Sequence, residues 1–113
     1  MKNQEQKRKL LYNLLGKLPD RKRSVSGKAF YTQNCDGYLL EHIVLDLNGI
    51  EEVSAYLAKP AIEKEKFPVI VFNHAHGGKY ELGKDEILLK KSALGGKSWA
   101  DILTSSGFAV FSI

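Results

Sequence analysis

His74 and His76 flank a single alanine and lead directly into Gly77-Gly78, so the run Phe72-Asn73-His74-Ala75-His76-Gly77-Gly78 combines imidazoles with permissive backbone. Adjacent glycines let a backbone approach a ligand closely and leave its N–H groups open. Two chemistries suit such a loop. In one, the N–H groups form an oxyanion hole, stabilising the charge that develops on a substrate carbonyl, where losing one donor costs roughly two to three orders of magnitude in rate. In the other, His74 and His76 share a divalent metal ion, as a His-x-His pair does in metal-dependent hydrolases. A metal site needs further ligands. The only other histidine is His42, and Asp85 and Glu86 could join only through a loop fold that the sequence does not specify. The oxyanion loop of His74, Ala75, His76, Gly77 and Gly78 is therefore the preferred reading, with no metal assigned. A third reading leaves the histidines with turn hydrogen bonds alone.

Other residues invite catalytic readings and fail them. Gly95-Gly96-Lys97-Ser98 looks like the end of a phosphate-binding loop, but Lys91 occupies the place of the first glycine. Gly96-Lys97-Ser98-Trp99-Ala100 resembles a degenerate nucleophile elbow. An elbow serine must sit at a strand-to-helix turn, and Leu88 to Leu94, with its paired lysines, is no strand. Ser98 reads as a helix cap. Cys35 lies in a turn cluster without a neighbouring base and is a poor nucleophile.

The elements that must position the loop follow from periodicity. Leu10, Leu11, Leu14, Leu15 and Leu18 recur at helical spacing, predicting an amphipathic helix over about 3–15 that packs its leucines and solvates its basic face, with Gly16 and Pro19 as its stop. Residues 28–33 favour a strand, and Asn34-Cys35-Asp36-Gly37 a turn. Residues 38–47 form a longer strand, and Asn48-Gly49 predicts a type I′ hairpin into a returning strand that Pro60 ends. Val69-Ile70-Val71-Phe72 reads as a strand buried on both faces, as in a parallel sheet, and Phe108 to Ile113 has the same character. Between them Ser98 caps a helix with Asp101 as its capping-box partner and Gly107 as its stop. The long connection from Lys79 to Lys97 is either a lid, with Tyr80 and Leu82 at a substrate entrance, or a surface insertion with a short helix near 85–90. Trp99, Leu103 and Phe108 are expected in the core.

The run from about Tyr38 to Ile113 resembles the N-terminal part of the α/β-hydrolase fold, particularly dienelactone-hydrolase-like and acetyl-xylan-esterase-like esterases. An antiparallel hairpin, a Pro-led apolar strand, a His-Gly-rich loop, a helix and a strand beginning Gly107-Phe108-Ala109-Val110 occur in the order those families show. His74-Ala75 falls on their His-Gly pair, with alanine in place of glycine. His76 falls on the residue whose N–H helps form the oxyanion hole. The resemblance implies an α/β fold, serine-type hydrolysis of a small-molecule ester or related acyl compound, and no cofactor. No Gly-x-Ser-x-Gly occurs, and no histidine follows His76. Nucleophile, acid and base are thus absent from these residues, and the chain is expected to be the inactive N-terminal portion of a larger hydrolase, ending within a strand.

Composition bounds the rest. Hydrophobic residues make up 43% and charged residues 27%, which excludes a disordered tail, a collagen-like repeat and a disulfide scaffold. A single cysteine points to a reducing cytoplasm, and no apolar run approaches the roughly 18–20 residues of a membrane span. The formal charge of +4 is uneven: residues 1–28 hold nine basic and two acidic side chains, and the remainder eight and eleven. The domain reading is a basic helix and linker over 1–27 and an incomplete α/β-hydrolase domain over 28–113. No aromatic ladder accompanies the basic helix, so no nucleic-acid partner is expected; the rival reading is a non-catalytic module binding nucleic acid or anionic lipid through that helix.

Overall fold

A computed structural model describes residues 3–113; Met1 and Lys2, the start of the expected 1–27 segment, lie outside the described residues. Helix α1 (Gln4–Leu14) begins at Asn3, whose side chain accepts the Gln6 N–H at 2.9 Å while the Gln6 side chain accepts the Asn3 N–H at 3.1 Å. Gly16, at φ +74°, follows its end. The helix forms because these bonds are local, but its expected packing does not occur. No residue of α1 is buried, and Leu10, Leu11, Leu14, Leu15 and Leu18 are 43–76% exposed. Nothing among the described residues covers the leucine face. The radius of gyration, 18.2 Å, accordingly exceeds the about 13 Å of a compact chain of this length.

Five strands form one sheet in the order β1-β2-β3-β5-β4, with β1 (Ser26–Asn34), β2 (Tyr38–Asp46), β3 (Glu52–Pro60), β4 (Val69–Val71) and β5 (Ala109–Ser112). The first three pair antiparallel, β5 runs antiparallel to β3, and β4 runs parallel to β5. The expected mixed α/β sheet is present. A bulge between Ala29 and Tyr31 interrupts β1. It brings Phe30 as well as Tyr31 against His42, at ring separations of 6.1 and 5.1 Å.

Two expectations about this sheet are corrected. The Asn48-Gly49 turn is not type I′, because only Gly49 has positive φ (+72°) and pairing resumes at Asp46 and Glu52. The Asp46 carboxylate accepts the Gly49 N–H at 2.6 Å and Asn48 Oδ1 accepts from Ile50 at 2.9 Å, so side-chain bonds shape a wider loop. Strand β4 is also not buried on both faces. Among the described residues it is the sheet's edge, next to β5 alone, which leaves Val69 56% and Val71 64% exposed.

The crossover from β4 to β5 carries two 3₁₀ turns, Gly83–Leu88 and Ser92–Leu94, and helix α2 (Trp99–Ser105). Ser98 caps α2: its hydroxyl accepts the Asp101 N–H at 3.1 Å and the Asp101 carboxylate accepts the Ser98 N–H at 2.7 Å. The core lies where α2 meets one sheet face, with Tyr38, Leu40, Ala58, Ala100 and Val110 buried and Tyr56, Phe72, Leu88 and Leu103 packed around them. Trp99 and Phe108 are half-buried at its margin. Among the described residues no helix is long and apolar enough to cross a membrane.

Candidate functional site

The His74–Gly78 loop leaves the carboxyl end of β4, beside the end of β5. The Phe72 N–H donates to the Phe111 carbonyl at 2.7 Å, prolonging the parallel ladder by one bond before the chain turns away. A small cavity of about 160 Å³ opens there, lined by Val71, Phe72, Asn73, His74 and Ile113. In open α/β sheets the carboxyl ends of parallel strands are where ligands bind.

All five loop residues are exposed. Gly77 and Gly78 form a tight turn closed by the Lys79 N–H, which donates to the His76 carbonyl at 2.6 Å. Both have positive φ, +49° and +84°, so the left-handed two-residue turn expected at Asn48-Gly49 is found here instead. Ala75 has no positive φ, and alanine therefore sits without backbone strain where the resembling families carry glycine. The turn brings the His76 ring onto Tyr80, with centroids 4.4 Å apart and planes 28° from parallel.

Glu86 ties the loop to the body of the fold. Its carboxylate accepts the Ala75 N–H on Oε2 at 2.7 Å and the Lys91 ammonium on Oε1 at 2.6 Å, and the residue is only 8% exposed. The bonded Lys91 holds the Glu86 carboxyl below the usual range, against the opposing effect of burial; the Ala75 N–H and the nearby His74 act in the same direction as Lys91. Lys91 is itself braced, its N–H donating to the Lys97 carbonyl and its carbonyl accepting from Gly96, each at 3.0 Å. With the Ala75 N–H engaged, the His74, His76, Gly77 and Gly78 N–H groups are the loop amides without a protein partner among the described residues.

Tyr80 and Leu82 lie farther along, lining an open cavity of about 530 Å³ with Gly78, Lys79, Glu81 and Asp85. Asp85 also approaches the Tyr56 phenol, whose pKa is raised by burial and by the neighbouring carboxylate. The expected helix near 85–90 is the 3₁₀ turn Gly83–Leu88, which carries Glu86 inward and leaves Asp85 exposed.

Ser98, Cys35 and His42 make no hydrogen bond to the loop. Ser98 is 1% exposed and occupied as the α2 cap. Cys35 is a half-buried free thiol in the β1–β2 turn. His42 packs edge-on or tilted among Phe30, Tyr31 and Tyr56, with its Nε2 buried and unpartnered. Among the described residues no three His, Cys, Asp or Glu side chains converge, so the structure supplies no third ligand to a His74–His76 metal site. Sequence reasoning missed the role of Glu86, weighed only as a metal ligand, and of Lys91, noticed only for breaking a phosphate-loop pattern. The one local signal is the Glu-Lys pair five residues apart astride an apolar Ile87-Leu88-Leu89 segment.

No protein-family model matches the chain, and no solved structure matches it. Over 108 residues, 96% of its length, the chain is 39% identical to a Bacillus subtilis (strain 168) protein named "Putative hydrolase YtaP". The match covers 36% of that protein, so the chain spans about a third of the length of this curated relative.

Proposed function

We propose that this chain contributes the oxyanion-hole loop of a serine-type α/β hydrolase acting on a carboxylic ester or related small acyl substrate. The observation that carries the reading is the set of unpartnered His76, Gly77 and Gly78 N–H groups on a loop at the carboxyl end of a parallel strand. When a nucleophile attacks an acyl carbon, the carbonyl oxygen gains negative charge. Fixed amide donors in a site with little water stabilise that charge without having to reorganise. His76 contributes through its backbone, with its ring held by Tyr80; the cavity beside Tyr80 and Leu82 is the proposed substrate side.

The catalytic side chains belong to sequence beyond these residues. Neither a Gly-x-Ser-x-Gly nor a histidine after His76 is present, and the hydrolase-named relative is about three times as long. On this reading 28–113 is hydrolase sheet and 1–27 an appended basic segment. The single cysteine of the sequence is the basis on which we infer a reducing, cytoplasmic setting.

A chimera tests the proposal, with this chain replacing the matching segment of the Bacillus subtilis relative and hydrolysis of a chromogenic acetate ester as the readout. His76→Pro, which removes the N–H, is expected to lower kcat by about 100- to 1000-fold. His76→Ala, which keeps it, is expected to stay within about 10-fold of the parent. An inactive chimera, or equal losses in the two variants, contradicts the reading.

A further inference from the structure

We propose that Glu86 is the positioning residue of the His74–Gly78 loop: by capturing the Ala75 N–H while anchored by Lys91, it makes the His76 N–H the first open donor beyond that bond. The inference deepens the oxyanion-hole reading and rests on it for its catalytic meaning, while the lock itself is a property of this chain.

The loop needs such a restraint. From Asn73 to Gly78 it is exposed, and it contains two adjacent glycines, the residues that lose most freedom on ordering. The Lys79–His76 bond closes the turn on itself without attaching it to the sheet. The Ala75–Glu86 bond is the hydrogen bond that attaches the loop's middle to the crossover. A carboxylate suits that task because one oxygen can take the amide and the other a cation, and charge-assisted bonds are shorter and stronger than neutral ones. Glu86 does both, at 2.7 and 2.6 Å. Neighbouring amides cannot all bind one carboxylate, so fixing Ala75 decides which later N–H remains for a ligand.

Lys91 explains how a nearly buried acid stays charged. The groups facing Glu86 are the Lys91 ammonium, the Ala75 N–H and the His74 imidazole, all favouring the carboxylate. Lys91 comes from a segment pinned to Lys97 by paired backbone contacts. The restraint thus runs from the Lys91–Lys97 bridge through Glu86 to Ala75.

Amide hydrogen exchange and pH titration by NMR on the 113-residue chain test the lock without any activity readout. The Ala75 amide is expected to exchange about 10- to 100-fold more slowly, relative to its intrinsic rate, than those of His76, Gly77 and Gly78. Its shift should follow a carboxyl titrating below the ordinary glutamate range. Glu86→Gln should abolish that titration, and Lys91→Met should move it upward, with the Leu40 and Ala58 amides reporting an intact sheet. An Ala75 amide as labile as those of His76–Gly78, or one indifferent to acid titration in the unmodified chain, overturns the proposal whether or not the variants fold. In the chimera, Glu86→Gln is expected to lower kcat about 10-fold with KM little changed. A locked Ala75 in an inactive chimera contradicts only the hydrolase reading; an unlocked Ala75 in an active one contradicts only the role of Glu86.

Discussion

The Arg23 guanidinium lies directly over Gly49, filling the space that a β-carbon would need, while its Nη2 pairs with Asp46 Oδ2 at 2.7 Å. Asp46 also accepts the Gly49 N–H at 2.6 Å, so one carboxylate joins the linker, the end of β2 and the hairpin loop. The bare glycine is thus required twice, for its φ of +72° and for the cation above it.

Gly49→Ala is expected to destabilise the chain by about 1–2 kcal/mol, chiefly from the left-handed backbone conformation. Arg23 is exposed and flexible, so part of the cost is its displacement. A double-mutant cycle with Arg23→Ala in urea unfolding should show the paired change costing less than the two single changes added.

The Glu86 carboxyl titrates below its ordinary value of 4.5 and the Asp46 carboxyl below 3.8, the first through Lys91 and the second through Arg23. A carboxyl depressed in the folded state contributes stability that is fully present above its unfolded pKa and lost as pH falls through the folded one. Melting temperature is therefore expected to be flat above about pH 5 and to fall below about pH 4. Glu86→Gln combined with Asp46→Asn should flatten that acid limb, and an unchanged limb would count against both pairs.

Gly78 sits at φ +84° with open space around the position of a Cβ, so substitution there meets backbone strain and no collision. Gly78→Ala should loosen the turn by about 1 kcal/mol, read as roughly 5-fold faster exchange at the Lys79 amide. D-alanine, introduced by semisynthesis, relieves the strain and should restore the original rate.

Ser98→Ala removes the α2 cap and is expected to cost about 1 kcal/mol in denaturant unfolding. In the chimera it should leave kcat within about 3-fold of the parent once the protein is folded. A loss of several orders of magnitude would identify Ser98 as a nucleophile and not a cap.

Much of this molecule is legible one residue window at a time. The Asn3–Gln6 and Ser98–Asp101 boxes, the stop at Gly16 and the strands ending at Pro60 and beginning after Pro68 arise from bonds or dihedral limits within about four residues. The Asn48-Gly49 turn shows where that reach ends. The dipeptide marks a turn correctly, but its shape depends on Asp46 and on Arg23, more than twenty positions earlier in the chain.

By itself the sequence determined the order of helices and strands and the position of the His74–Gly78 loop after an apolar strand. Each follows from local propensity and periodicity, which short-range sterics and hydrogen bonds set. Tertiary structure alone decided which surfaces are covered and which loop amide is held. Leu10, Leu14, Val69 and Val71 have the residue types of a core yet stay exposed, because burial depends on a partner surface and these elements have none among the described residues. Ala75 meets Glu86 eleven positions away because the crossover folds back beneath the loop, and a carboxylate between a lysine and an amide recurs in no periodicity.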